Sequence, residues 1–197
     1  MRSLIVPTSE FSEVEETLIS SAFLELFNVN KIDDHKIKHL MFLGAFGEYC
    51  IVQEQQAIAV PADIPFDRAC LIGCSVMTGV GAVLNVAHIG HADTVMVIGC
   101  GAVGLSAVQG SRLAGAAKII AVDIDEGKLA LAQRMGATHG VHANREDVAA
   151  AARQETAGRG ADVVIEAAGN ATAFRASVEA VRPGGEVVWL GKIDVNH

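Results

Sequence analysis

The chain has 197 residues, of which 51% are apolar and 19% charged, so it can bury the core of one large domain and is not intrinsically disordered. The formal net charge is −8 and no cluster of Lys and Arg occurs, so we expect no nucleic acid or anionic membrane surface as a partner. The four cysteines form no C-x-x-C pair, and we expect a reducing, cytoplasmic location.

The first 40 residues form an unassigned N-terminal segment in which we find no chemistry. Ser12 and Glu15 have the spacing of a capping box, and apolar residues then recur at helical intervals. This pattern predicts a helix over about residues 13–27.

Short strands, a helix and a bend are predicted between residues 43 and 87. Gly44–Val52 and Ala57–Val60 have the composition of strands, and Asp67 is placed to cap the helix that follows. The glycines of Gly73–Gly81 predict a bend, after which a helical stretch runs to about Ala87.

Two uncharged stretches, Ala69–Ala92 and Thr94–Ser111, are long enough to raise the question of a membrane span. Both contain several glycines and polar residues, and neither is flanked by a basic cluster or an aromatic belt. We therefore interpret both as buried elements and expect no membrane partner.

Apolar strands and helical segments alternate from Thr94 onwards. Strands that are separated by helices of this length must be parallel and joined by crossovers, which predicts an α/β fold with a doubly wound parallel (Rossmann) sheet in the order 3-2-1-4-5. The predicted strands are Thr94–Ile98, Lys118–Val122, His139–Val141, Asp162–Ala167 and Glu186–Leu190; the predicted helices are Val103–Ala114, Glu126–Met135, a segment between Asn144 as cap and Gly158, and Ala171–Val181, with a turn at Arg182–Gly185.

Gly99, Gly101 and Gly104 form a G-x-G-x-x-G motif directly after the first of these strands. The first glycine permits a tight turn, the second lets the backbone approach a pyrophosphate, and the third lets helix and strand pack closely. Because the motif opens a helix, free N–H groups and the positive end of the helix dipole are available to an anion. We predict a dinucleotide site that includes the backbone of Ala102 and Val103.

Asp123 falls at the tip of the second strand, where a carboxylate can accept hydrogen bonds from both hydroxyls of the adenosine ribose. The following residues are acidic and offer no cation for a 2′-phosphate, which favours NAD over NADP. Lys128 either reaches the ribose 3′-oxygen or is an ordinary solvated lysine, and its spacing leaves both open. A methyltransferase of similar fold is disfavoured because no acidic residue precedes Gly99.

Four stretches resemble the zinc-dependent medium-chain alcohol dehydrogenases: Phe46–Val52, Leu71–Gly81, Val97–Leu105 and Val122–Asp125. The resemblance runs from about Leu40 to Lys192. It implies that Cys74 is a ligand of a catalytic zinc, that Thr78 lies against the nicotinamide of NAD, that Ala168 lines the adenosine pocket, and that Leu190, Gly191 and Lys192 pass the nicotinamide carboxamide.

The resemblance also implies a domain organisation. Residues 41–78 are a remnant of a catalytic domain, and residues 79–197 are an NAD-binding domain that is incomplete after its fifth strand. The family supplies two further zinc ligands, an earlier Cys and a His within Gly-His-Glu, and this sequence has neither. We assign no catalytic residue, and the zinc site expected from the family is incomplete.

Two interpretations of function follow. One is an NAD-dependent, zinc-containing alcohol dehydrogenase, an oxidoreductase that transfers hydride between a primary or secondary alcohol and NAD; its partners are an alcohol or aldehyde substrate and further copies in a homo-oligomer. The other is a truncated NAD-binding module without catalytic activity. A zinc-free reductase of the same superfamily is disfavoured because such a protein needs no Cys74.

Overall fold

The computed structural model describes residues 3–7, 31–32, 35–36, 49–53 and 57–192. The chain divides into two compact units, Met1–Pro65 and Phe66–His197. The helix predicted over residues 13–27 lies outside the described residues. The second unit includes residues 66–78, which the resemblance assigned to a catalytic-domain remnant, and that assignment stays a prediction.

The described part of the first unit contains two short antiparallel strand pairs. Strand β1 (Ser3–Pro7) pairs with β4 (Tyr49–Gln53), and β2 (Lys31–Ile32) pairs with β3 (His35–Lys36). Strand β4 coincides with the second half of the strand that the sequence predicts up to residue 52.

The strand predicted at Ala57–Val60 is wrong. These residues have no regular secondary structure, and Ile58 is 84% exposed. A short apolar run becomes a strand only where a neighbouring strand and a buried face are available, and no described residue provides either here.

A nearly continuous helical stretch opens the second unit. Helix α1 (Phe66–Leu71) passes through a π-helical segment (Ile72–Val76) into α2 (Met77–Asn85). The bend predicted over residues 73–81 is therefore wrong. A Cβ on Gly79 would collide with the carbonyl oxygen of Val103, so this glycine permits close packing of two helices and does not form a turn.

Two further properties of this stretch bear on the predictions. Helix α1 begins at Phe66, so Asp67 is the second residue of its first turn, and the prediction that Asp67 caps the helix is wrong. By length and composition alone, Phe66–Asn85 is apolar enough to cross a membrane. Of the residues in this stretch, only Gly79, Ala82 and Val83 are buried, so one side of α2 packs within this unit, and the prediction of a buried element is wrong for most of the stretch.

A five-stranded parallel sheet forms the centre of the second unit. Its strand order is β7-β6-β5-β8-β9, which confirms the predicted order 3-2-1-4-5. The strands are β5 (Thr94–Ile98), β6 (Lys118–Asp123), β7 (His139–His142), β8 (Ala161–Glu166) and β9 (Val181–Trp189), and the helices between them are α3 (Ala102–Leu113), α4 (Glu126–Met135), α5 (Val148–Glu155) and α6 (Ala171–Ala180).

Apolar side chains leave the sheet on both faces, as expected for a buried parallel sheet. Val95 and Val97 of β5 pack in one core with residues of α2, α3 and α4. Met96 and Ile98 pack in a second core with residues of α5 and α6. The alternation along one strand thus builds two helix layers, and the doubly wound architecture is confirmed.

Two local predictions at element ends are wrong. Arg182–Gly185 is not a turn outside the sheet but a bulge within β9, because the pairing jumps from Ala161–Val181 to Val163–Glu186. Pro183 lacks an N–H and cannot continue the ladder, which accounts for the irregularity. Helix α5 is capped by Asp147, whose Oδ1 accepts the Ala150 N–H at 2.7 Å, and not by Asn144.

Candidate functional site

The turn between β5 and α3 contains the three motif glycines. Gly99 has a φ of +95°, and a Cβ there would lie 2.7 Å from the Ala168 nitrogen, so only glycine fits. A Cβ on Gly104 would collide with the Gly99 carbonyl oxygen. Both glycines therefore allow the close packing of strand, turn and helix that the motif predicts.

The N-terminus of α3 is open. Gly101 occupies the N-cap position without a side chain to accept a hydrogen bond, and a Cβ there would meet no heavy atom within 4 Å. The first N–H groups of a helix have no partner within the helix, and in α3 these include the N–H groups of Ala102 and Val103. Such an end attracts anions such as a pyrophosphate.

The Asp123 carboxylate is hydrogen-bonded to the glycine turn between β5 and α3. Its Oδ2 accepts the Cys100 N–H at 2.7 Å, and its Oδ1 accepts the N–H groups of Ile124 and Asp125 at 2.8 and 3.0 Å. The residue is only 9% exposed, so the three donors hold the carboxylate in one orientation. A carboxylate has about four acceptor positions, which leaves about one for a further donor.

Cys100 and Lys128 lie near this carboxylate. Burial, and then the negative charge of Asp123, raise the pKa of the Cys100 thiol to about 12, while the positive charge of Lys128 opposes the rise. Cys100 is thus a protonated, structural thiol at neutral pH. Lys128 is exposed in the first turn of α4, and its contact with a ribose stays a prediction.

The loops after β8 and β9 meet beside Gly99. Ala168 abuts Gly99, and a Cβ on Gly169 would lie 3.1 Å from the carbonyl oxygen of Lys192. The N–H groups of Leu190 and Gly191 both donate to the carbonyl oxygen of Glu166, at 2.8 and 3.1 Å. Ala168 and the segment 190–192, which the resemblance placed in one site, therefore lie together at the carboxyl edge of the sheet, next to the glycine turn.

Thr78 and Cys74 lie on the helical stretch of the second unit and are both exposed. Gly79 packs against Val103 in the first turn of α3. Thr78, the residue before Gly79, therefore lies near this turn as well. Among the described residues, no three His, Cys, Asp or Glu side chains are grouped so that they could hold a metal ion. The described donors therefore do not fit the zinc site that the resemblance implies for Cys74, and we derive no step through zinc.

Glu166 is a site residue that the sequence analysis missed. Its side chain is fully buried, and its Oε1 accepts the N–H groups of Ala168 and Gly169 at 2.8 and 2.7 Å. A signal was present: Glu166 ends the apolar run of β8 as Asp123 ends that of β6.

This chain matches a family model of dehydrogenases, and it is similar to individual known dehydrogenases. The family model of the zinc-binding dehydrogenases matches residues 102–197. The S-(hydroxymethyl)glutathione dehydrogenase of Saccharomyces cerevisiae is 39% identical over 161 residues, which are 79% of this chain and 42% of that protein. This chain thus spans less than half the length of that relative.

Solved structures resemble the chain over the same extent. An alcohol dehydrogenase zinc-binding domain protein from Burkholderia ambifaria is 35% identical with a TM-score of 0.73, over 79% of this chain and 42% of its own. The benzyl alcohol dehydrogenase of Acinetobacter calcoaceticus is 32% identical with a TM-score of 0.72, over 78% and 44% of the two chains. With the glycine turn and the parallel sheet in place, the chain belongs to the family of the zinc-dependent medium-chain alcohol dehydrogenases and corresponds to part of the length of its relatives.

Proposed function

We propose that this chain is the NAD-binding part of an alcohol dehydrogenase-type oxidoreductase. The observation that carries the proposal is the 2.7 Å hydrogen bond between Asp123 Oδ2 and the Cys100 N–H. It holds a carboxylate, the group that recognises ribose hydroxyls, beside an uncapped helix N-terminus, the group that recognises a pyrophosphate.

Each part of the site has a role in this proposal. The N–H groups of Ala102 and Val103 bind the pyrophosphate, Asp123 accepts a ribose hydroxyl, and Ala168 borders the adenosine. Thr78 and the segment Leu190–Lys192 orient the nicotinamide. When bound, NAD supplies the acceptor for a hydride from an alcohol, a substrate class that the names of the relatives support. A cytoplasmic location and a homo-oligomeric state are part of the same proposal.

Binding of NAD is tested best at Gly101. The residue has ordinary backbone angles, φ −73° and ψ −173°, and open space around its Cα, so Gly101→Asp fits and supplies a good N-cap. Its negative charge, however, occupies the place of the pyrophosphate. We expect Gly101→Asp to retain the thermal stability of the unmodified chain and to lose NAD binding in calorimetric titration.

The matched control for this test is Gln154→Glu, which adds the same charge at an exposed position near the end of α5. We expect this variant to bind NAD as the unmodified chain does. Failure of the unmodified chain to bind NAD, or equal affinity of Gly101→Asp, contradicts the proposed site.

A second candidate function is an NAD-binding module without catalysis. The observation that favours it is the lack of a three-donor metal group among the described residues. A single thiolate in place of three ligands loses most of the affinity for zinc. We expect the purified chain to hold less than about one zinc per molecule and to form no NADH from a panel of alcohols. Stoichiometric zinc that is lost in Cys74→Ser, with NADH formation, would instead support the complete dehydrogenase.

A further inference from the structure

We propose that Glu166 is a positioning residue that links the two loops of the dinucleotide site at the carboxyl edge of the sheet. These are the loop Ala167–Gly169 after β8 and the segment Leu190–Lys192 after β9. The inference rests on the proposed binding of NAD, but it concerns a residue that neither the glycine motif nor the resemblance points to.

Glu166 lies where the sheet meets the glycine turn. It is the last residue of β8 and pairs in register with Ile98, the last residue of β5. The chain then continues to Ala167, whose N–H donates to the Ile98 carbonyl oxygen at 2.8 Å, and to Ala168, which abuts Gly99. A displacement of this loop would therefore be transmitted directly to the turn that faces the pyrophosphate.

Oxygen atoms of Glu166 accept hydrogen bonds from both loops. Its main-chain oxygen accepts the N–H groups of Leu190 and Gly191, and its side-chain Oε1 accepts those of Ala168 and Gly169. Hydrogen bonds from two neighbouring amides to a carboxylate are short and directional, so they fix the loop geometry before a ligand arrives. Truncating the side chain removes the bonds to the first loop and leaves those to the second loop intact.

The second carboxylate oxygen distinguishes Glu166 from an ordinary loop anchor. Oε2 is buried and has no hydrogen-bond partner among the described residues, although such an atom is costly to bury. It lies against Gly191, where any Cβ would collide with it. The carboxylate thus occupies the space between the two loops, and Gly191 provides the clearance that this requires.

Variants at residue 166 separate positioning from simple stabilisation. We expect Glu166→Ala to weaken NAD binding by at least about tenfold in calorimetric titration. Glu166→Gln keeps a carbonyl oxygen for the two N–H groups, so its affinity should stay within about threefold of the unmodified chain. Glu166→Asp, which retracts the carboxylate from the loop, should fall between them and serves as the truncating variant if Glu166→Ala does not fold.

The matched control is Asp162→Ala, at the opposite end of the same strand. Asp162 is also buried and also accepts a main-chain N–H, that of Thr94 at 2.8 Å, but it lies away from the loops. We expect this variant to lose thermal stability and to bind NAD normally below its melting temperature. Equal weakening of NAD binding by Asp162→Ala and Glu166→Ala would overturn the proposal, as would unchanged binding in Glu166→Ala.

Hydrogen exchange keeps this test independent of the proposed function. If the unmodified chain binds no NAD, the proposed function fails, but the amides of Ala168 and Gly169 still report on Glu166. We expect these amides to exchange faster in Glu166→Ala or Glu166→Asp and to stay protected in Glu166→Gln, with those of β6 unchanged in all three. Unchanged exchange at both loop amides would overturn the positioning role whatever the ligand.

Discussion

At the scale of single residues, Asp123 has two roles, one in holding the glycine turn and one in binding a ligand, and the sequence alone indicates only the second. Its carboxylate holds the turn through three main-chain N–H groups, and it keeps about one acceptor position for a ligand. From its place in the sequence, the Asp123 carboxylate is expected to accept hydrogen bonds from both ribose hydroxyls. In the structure, three of the roughly four acceptor positions of the carboxylate are taken by main-chain N–H groups, so we expect it to accept from about one ribose hydroxyl.

The preference of the chain for NAD over NADP should depend on Asp123. Asp123→Ser removes the acceptor and the repulsion of a 2′-phosphate, so NAD binding should weaken by about tenfold to a hundredfold, the equivalent of about 1.5–3 kcal/mol, while NADP binding gains. Calorimetric titration with both cofactors measures the change.

Two further variants control for other effects at this site. Asp123→Asn removes the charge with little change of shape, so the ratio of NADP to NAD affinity should still rise even though the turn is better preserved than in the serine variant. Lys128→Ala should have a smaller effect, since the exposed lysine is screened by solvent. Equal affinity of the unmodified chain for both cofactors would show that Asp123 does not face a ribose.

At the scale of elements, Asp162 ties three strands together at the amino edge of the sheet. It lies in β8, accepts the Thr94 N–H of β5 at 2.8 Å, and accepts Nε of Arg182, at the bulge of β9, at 2.6 Å. Burial raises the pKa of Asp162, but Thr94, Arg182 and Arg159 outweigh burial and hold the pKa below its usual range. The ionised carboxylate is therefore the form that the fold stabilises.

This ion pair should make part of the stability dependent on pH. Because the folded-state pKa of Asp162 is lowered, its contribution is complete above the unfolded-state value of about 3.9 and is lost as the pH falls through the lower, folded value. We expect Asp162→Asn to reduce the free energy of unfolding by about 1.5–3 kcal/mol at pH 7, and by progressively less below about pH 4.

Urea denaturation at several pH values measures this difference. Asp63→Asn, which changes an exposed carboxylate in the turn before α1, is the control and should cost little at any pH. A penalty for Asp162→Asn that is the same at pH 3 and pH 7 would contradict the assigned role of the ionised carboxylate.

At the scale of the whole molecule, the outer edge of β9 is open among the described residues, because no described strand pairs with its far side. Beside it lies an apolar groove formed by Phe174, Val178 and Trp189, with Arg175 and Glu179 at its rim. Trp189 is 55% exposed and stacks on Phe174 with 5.1 Å between ring centroids. An edge with free main-chain groups and adjacent apolar surface favours association with another strand.

We therefore expect the chain to self-associate through this edge. The opposite charges of Arg175 and Glu179 suit a twofold pairing, in which each would meet the other residue of a second copy. Light scattering over a range of concentrations should detect association, and Val178→Lys, at an exposed position of α6, should reduce it while leaving the fold intact. A monomer at all concentrations, with the edge still uncovered, would refute this expectation.

Several parts of the fold and the site could be predicted from the sequence because their causes are local or repetitive. The alternation of apolar runs and helical periods sufficed for the parallel sheet and its order, since only a few topologies join strands through helices. The motif at Gly99, Gly101 and Gly104 indicated the open turn: Gly99 adopts a positive φ, Gly104 packs against the Gly99 carbonyl oxygen, and Gly101 leaves the helix N-terminus without a capping side chain. Asp123 could be predicted because it stands at the end of the second strand, at the usual distance after the glycine motif.

Tertiary contacts decided the rest. Gly79 suggested a bend in the sequence, yet it lies within a helix because its lack of a Cβ is needed against Val103, a residue of another helix. Pro183 suggested a turn, yet it belongs to a bulged strand because β8 pairs on both sides of it. Glu166 was missed because its four N–H donors come from two loops, one of them more than twenty residues away in the sequence. A local pattern determines which conformations a segment can adopt, whereas the partners of a buried polar group exist only after the strands have assembled.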